Sequence, residues 1–274
     1  MSLAKWMEDW QLPGLEIWEA PLYDGTTDAV YPFAWEEWMC RQVGQGYPPL
    51  LHVWRHPRAF VAGLRDRRLP MAQQALDRLR NEGWSVAVRP SGGAAVPLTA
   101  GIVNLSMILP NPGRSVNIHD DFKRLSGLIG RALLPWTEEA RAGEISGAFC
   151  PGDYDLSVAG QKFCGIAQRR LAKAYIVSAF VIVEGSGDDL ARQVRSFYEE
   201  AAGDLDTGYP QVELGTMGSL QELAGVRSTA DFTDALLVAA AECFGGRILQ
   251  VPPQVPADVI EEMTEKMKQR YDAD

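Results

Sequence analysis

Between Lys162 and Val183 the chain holds two long strand-like runs, KFCGIAQRR and AYIVSAFVIV, with only a short turn near Leu171-Ala172 between them. Such a turn leaves no room for a crossover helix, so the runs read as antiparallel neighbours. Tyr154–Val158 precedes them across an Ala159-Gly160 turn and joins the same meander. A sheet built largely from adjacent antiparallel strands follows.

The remaining segments fit that frame. Leu15–Glu19 alternates apolar and polar residues, Leu50–Trp54 and Ala59–Leu64 flank the turn RHPR, and Trp84–Arg89 and Ile102–Leu109 read as further strands. Helical spacing marks Asp28–Val43, with Pro32 in its first turn, then Pro70–Glu82 up to Gly83, Asn117–Leu134 up to Pro135, and Asp188–Ala202 with its acidic start. Because strands come in pairs rather than in regular βαβ alternation, the expected class is α+β, a largely antiparallel mixed sheet flanked by helices. After about Gly215 the pattern turns helical (Leu220–Ala224, Thr229–Phe244, Val255–Tyr271), apart from Arg247–Val251. The expected division is a catalytic domain over 15–214 and a carboxy-terminal helical segment over 215–274 packed on it.

Charge and cysteine usage narrow the function. Lys and Arg number 26 against 36 for Asp and Glu, a net charge of -10, which argues against nucleic acid and anionic membranes as partners. Cys40, Cys150, Cys164 and Cys243 show neither CxxC spacing nor the density of a disulfide scaffold, so a cytoplasmic location is expected. The apolar run Ala174–Val183 is too short to span a bilayer. His52, His56 and His119 lack any metal-motif spacing, and structural roles are expected for them. Gly185-Ser186-Gly187 superficially resembles a dinucleotide loop, but Asp188 and Asp189 would repel a pyrophosphate there.

Two segments carry possible chemistry. In Arg89-Pro90-Ser91-Gly92-Gly93-Ala94-Ala95-Val96 the paired glycines allow close backbone approach, Ser91 offers a hydroxyl and Arg89 a fixed charge; a plain loop needing positive φ at one glycine fits equally well. The surrounding PSGGAAVPLTAG reads as loop throughout. In FCPGDYDL, Cys150 sits on a Pro-Gly loop where a substrate has access, whereas Cys164 lies on an apolar strand two residues from Lys162, so that the two side chains share a face. A thiol nucleophile needs a nearby positive charge, a helix amino terminus or a base, and composition alone leaves Cys150 open between nucleophile and apolar filling.

Taken together, RPSGGAAVPLTAGIVNLS and GQKFCGIAQRR resemble the biotin/lipoate protein ligase and lipoyl/octanoyl transferase superfamily, with an R-x-S-G-G-x-A-V segment, an L-N-x-S-like strand and a G-x-K-x-x-G-x-x-Q strand. Here these are Arg89, Ser91, Gly92, Gly93, Ala95 and Val96, then Asn104-Leu105-Ser106, then Gly160, Lys162, Gly165 and Gln168. CPGDYDL resembles the cysteine-dependent amidotransferase branch, with Cys150 ahead of Pro151, Tyr154, Asp155 and Leu156. The histidine that many lipoate ligases carry after the glycine motif is replaced by Pro97-Leu98-Thr99, and the position used by the other transferase type, within Lys173–Ser178, has no cysteine.

The resemblance implies a lipoate ligase-like domain with Cys150 as acyl carrier and Lys162 as its electrostatic partner. It implies substrate contacts from Arg89, Ser91, Gly92, Gly93, Ala94, Asn104, Gly165 and Gln168, with no cofactor and no metal. The implied reaction is octanoyl transfer in protein lipoylation, from octanoylated glycine cleavage H protein to lipoyl domains of 2-oxoacid dehydrogenases, by a cytoplasmic monomer. An acyl-carrier-protein donor, an ATP-dependent lipoate-protein ligase and a non-catalytic binder are the alternatives. Because such carrier domains are typically acidic, Arg65, Arg67, Arg68, Arg89, Arg169, Arg170 and Lys173 are expected to form a basic rim.

Overall fold

The computed structural model describes residues 3–7, 12–111, 113, 118–205 and 208–271. Its centre is an eight-stranded sheet, in order β11 (Arg247–Ile248), β1 (Glu16–Glu19), β2 (Leu50–Trp54), β6 (Ile102–Pro110), β10 (Ala174–Ile182), β9 (Gln161–Arg170), β8 (Leu156–Val158) and β7 (Arg141–Ala142). Among these eight strands β1 alone pairs in parallel, with β2 on one side and β11 on the other; their other pairings are antiparallel. The expected α+β class with a largely antiparallel sheet is the one observed.

Both faces of the central strands are covered, which explains why their sequences run apolar without alternation. Val103, Leu105 and Met107 of β6 and Val177, Ala179 and Val181 of β10 join a core with Leu125, Leu128 and Ile129 of α3 (Ile118–Ala132) and Phe232 and Leu236 of α6 (Thr229–Phe244). On the opposite face, Leu50, Ile108 and Ile176 are covered by Trp35, Met39, Cys40 and Val43 of α1 (Tyr31–Val43). Beside α1 lies a three-stranded sheet in order β4 (Ser85–Val88), β3 (Arg58–Ala62) and β5 (Val96–Thr99), packed on α2 (Ala72–Asn81) and α4 (Gly187–Ala202). The space between the two sheets holds the site.

Several element ends differ from the sequence expectation for local reasons. Asp28 does not open α1: its Oδ1 accepts the N–H of Val30 at 2.8 Å, and the helix starts at Tyr31. Val96–Thr99, read as loop, is a strand; Pro97 is tolerated because β5 is the edge of its sheet. Gly185-Ser186-Gly187 forms the turn from β10 into α4, with Ser186 capping the helix by accepting from the Asp189 N–H at 3.3 Å. Past residue 215 the chain forms α5 (Leu220–Ala224), α6, β11 at the sheet edge, and α7 (Ala257–Tyr271), which packs on α1. No helix among the described residues is long and apolar enough to cross a membrane.

Candidate active site

Cys150 lies on the connection from β7 to β8 with φ of 49°, a left-handed conformation uncommon for a residue bearing a Cβ. One side chain holds it there. Lys162 Nζ donates to the carbonyls of Phe149 at 2.9 Å and Cys150 at 2.6 Å, and it pairs with Asp155 Oδ2 at 2.7 Å. The lysine is 0% exposed. Gly152 N–H donates to the same Asp155 oxygen at 3.0 Å, so the loop is wrapped around the ammonium. Burial raises the Asp155 carboxyl to about 6, against the opposing pull of Lys162.

Lys162 reaches that loop because of a bulge. Cys164 is opposite Leu156 and Lys162 opposite Ser157, so two residues of β9 match one step of β8. The shared face expected for Lys162 and Cys164 is thereby lost. Cys164 packs into the core under α3 and α6, where burial pushes its thiol well above the ordinary range, while Lys162 Nζ lies 5.6 Å from the Phe180 ring on the other face. Residues 216–218 fix the bulge by edge pairing: Lys162 N–H donates to Thr216 O at 2.8 Å and Gly218 N–H to Lys162 O at 3.0 Å.

The sulfur itself faces Arg89. Arg89 Nη2 is 3.0 Å from Cys150 Sγ and the Ala94 N–H donates to it at 3.3 Å; Arg89 also donates to the Ala94 carbonyl. A side chain at Gly93, which has φ of 106°, would strike the Arg89 guanidinium and lie 3.0 Å from Sγ. Glycine is therefore required at that position for close approach. The loop is anchored behind by Tyr198, whose hydroxyl accepts from Ala95 N–H at 3.1 Å and donates to Asp66 Oδ1 at 2.9 Å. Burial raises both the Asp66 carboxyl and the Tyr198 hydroxyl.

From Cys150 a cleft runs between the sheets, lined among others by Arg89, Ser91, Asn104, Gly165, Phe180 and Glu36. A Cβ at Gly165 would lie 2.6 Å from Phe180 Cε1, so this glycine gives the ring its place in the cleft wall. Asn104 contributes a buried Nδ2 with no hydrogen-bond partner among the described residues. Ser91, Gly92, Gly93 and Ala94 also line an outer groove with Arg65, Leu69, Pro151 and Tyr209. Gln168 is not brought to the cleft: its Nε2 donates to Asp121 Oδ2 of α3 at 3.2 Å and its Oε1 accepts from Arg170 Nε at 3.0 Å.

The basic rim is smaller than expected. Arg89 is buried on the thiol, and Arg169 bonds to the Pro90 carbonyl at 2.9 Å and pairs with Glu37. Lys173 packs against Gly44 at the far end of α1. Arg65 is exposed and lines the outer groove, and Arg68 is exposed one residue before Leu69, which lines the same groove. Two residues escaped sequence reasoning as site residues. Asp155 stands inside the quoted cysteine motif, and only its partner Lys162 was singled out; Glu36 lies in a helix with no local signal.

The lipoyl protein ligase A/B catalytic domain family matches over residues 28–241, and the chain belongs to that family. It is 40% identical over 202 residues to an octanoyl-[GcvH]:protein N-octanoyltransferase of Lysinibacillus sphaericus, covering 73% of each chain. It is 35% identical over 226 residues to the Oceanobacillus iheyensis protein of that name, covering 82% of this chain and 78% of that one. A lipoyl-[GcvH]:protein N-lipoyltransferase of Listeria monocytogenes is 35% identical over 216 residues, covering 76% and 77%. Lipoate-protein ligase A bound with ATP superposes with a TM-score of 0.66 at 20% identity, covering 95% and 96% of the two chains, a likeness of fold. The family resemblance drawn from the glycine and lysine motifs is borne out, and the relatives' names are those of acyltransferases.

Proposed function

We propose that this protein transfers an octanoyl group from the lysine of octanoylated GcvH to lysines of 2-oxoacid dehydrogenase lipoyl domains, through a thioester on Cys150. The names of its relatives support the donor. The observation that carries the chemistry is the convergence of Arg89 Nη2 and the Ala94 N–H on Cys150 Sγ at the mouth of a cleft between the sheets. A guanidinium and a backbone N–H facing the sulfur are what a thiolate requires.

In the first half-reaction the S–C bond forms at the octanoyl carbonyl, the amide C–N bond breaks, and the thiol proton ends on the departing lysine amine. In the second, the acceptor lysine forms the new amide bond, the S–C bond breaks, and the sulfur returns to its two donors with one proton released from the amine. Neither step consumes ATP. Lys162 serves by holding the Cys150 carbonyl, and therefore the strained loop, rather than by meeting the sulfur. The catalytic unit is 15–214, the helical segment over 215–274 packs on it, and the protein acts as a cytoplasmic monomer.

Radiolabelled octanoyl-GcvH and a lipoyl domain, mixed with the protein in the absence of nucleotide, test this directly. The label should move to the lipoyl domain. Octanoylation of the lipoyl domain only when ATP and free octanoate are supplied, with the label remaining on GcvH, would instead establish the ligase reaction.

A further inference from the structure

The cleft ends on a polar group that octanoyl chemistry does not call for. Glu36 of α1 lines it, is 4% exposed, and is held by the Trp54 indole N–H at 2.9 Å and by His52 Nδ1 at 3.0 Å. Both contacts fall on Oε1. Ser106 and Ser178, opposite each other on β6 and β10, line the same region, with Asn104 one row nearer to the thiol.

Sheet register places this group relative to Cys150. Gly165, Phe180, Asn104 and Trp54 form one row across β9, β10, β6 and β2, and Ala167, Ser178, Ser106 and His52 form the next. Lys162, which holds the Cys150 loop, reaches over from the β9 end of the first row, and Glu36 bonds to Trp54 and His52 at the β2 end. Three inter-strand steps separate those ends, about 14 Å. An extended eight-carbon chain spans about 9 Å with C–C bonds of ~1.5 Å, and the Glu36 side chain reaches inward from α1. Beyond lies closed apolar packing: Leu50, Ile108 and Ile176 of the third row are covered by Trp35, Met39 and Cys40.

We infer that Glu36, positioned by Trp54 and His52, is the chain-length determinant of this enzyme: an acyl chain gains from each methylene it buries until its end meets the carboxyl group. Each buried methylene is worth about fourfold in binding, whereas one pressed against Glu36 strips a polar group of its remaining hydration without returning a hydrogen bond. Selection for a medium-length chain follows from where that polar wall stands. The inference rests on the reading of the cleft as the acyl site.

GcvH loaded separately with hexanoyl, octanoyl, decanoyl and dodecanoyl groups provides the test, with thioester formation on the enzyme read by mass spectrometry. The wild type should fall sharply in kcat/KM beyond octanoyl. Glu36→Leu should raise the decanoyl-to-octanoyl ratio at least tenfold, and Ser178→Leu, which adds bulk to the same end without touching Glu36, should move the optimum to hexanoyl. Unchanged ratios in a folded Glu36→Leu protein would overturn the inference; if that variant does not fold, an unchanged optimum in Ser178→Leu would do so. A wild type that forms no thioester with any chain would instead remove the acyl-site reading beneath it.

Discussion

Lys162 Nζ stands 2.6 Å from the carbonyl oxygen of Cys150 and 2.7 Å from Asp155 Oδ2, all three groups lying within one loop and the bulged start of one strand. The lysine is thus the clasp of the cysteine loop. Its removal leaves Asp155 buried and unpaired, so Lys162→Met should cost about 3–5 kcal/mol of stability. Lys162→Met combined with Asp155→Leu should recover most of that loss in urea unfolding, yet remain inactive because nothing then holds the Cys150 carbonyl. Recovery of activity in the double variant would show that the clasp is dispensable.

Asp155 also sets a pH dependence of stability. Its carboxyl titrates near 6 in the fold against an ordinary value of 3.8, so between those values the folded chain holds a proton that the unfolded chain has released. Its contribution is therefore most favourable below about pH 4 and declines as pH rises to about 6, with no further change above. The stability of wild type relative to Asp155→Asn should follow that slope in denaturant titrations. A difference independent of pH from 4 to 7 would place the proton elsewhere.

Thiol labelling separates Cys150 from Cys40 and Cys164. Cys40 and Cys164 are fully buried and burial raises both thiols, Cys40 to about 12, so neither should react with iodoacetamide in the native protein. Cys150 should react at neutral pH, and Arg89→Met should slow it roughly tenfold or more by removing the charge from the sulfur. Arg89→Lys is not expected to restore the rate, because one Nη2 atom contacts both Sγ and the Ala94 carbonyl.

Gly93→Ala should abolish transfer with the fold retained, since the added methyl meets Arg89 and the sulfur rather than the core. Circular dichroism with a transfer assay would check both halves of that expectation.

At and beside the outer groove, Arg65→Glu with Arg68→Glu should raise KM for an acidic carrier domain, if that is what docks there, several-fold, leave kcat nearly unchanged and flatten the salt dependence of kcat/KM. Identical salt profiles for wild type and variant would exclude these arginines from docking.

The sequence carried the sheet well where the hairpin turns are short, as in Lys162–Val183, and where paired glycines must lie against a neighbour, as at Gly93 beside Arg89. It misled where the two-residue strand period breaks: the bulge at Lys162 parts it from Cys164, and no local signal announces one extra residue. Gln168 illustrates the reverse case. A regular strand turns it to the face opposite Gly165, toward Asp121. Contacts distant in sequence were out of reach altogether, among them β11 beside β1 and Glu36 beneath Trp54.

Intact mass spectrometry of the enzyme after brief incubation with octanoyl-GcvH, without ATP and without acceptor, tests the central claim most directly. Wild type should gain one octanoyl group that hydroxylamine removes and a lipoyl domain discharges, and Cys150→Ala should gain none. An adduct of the same mass on Cys150→Ala, or transfer by wild type at full rate with the Cys150 thiol alkylated, would contradict a thioester at this residue.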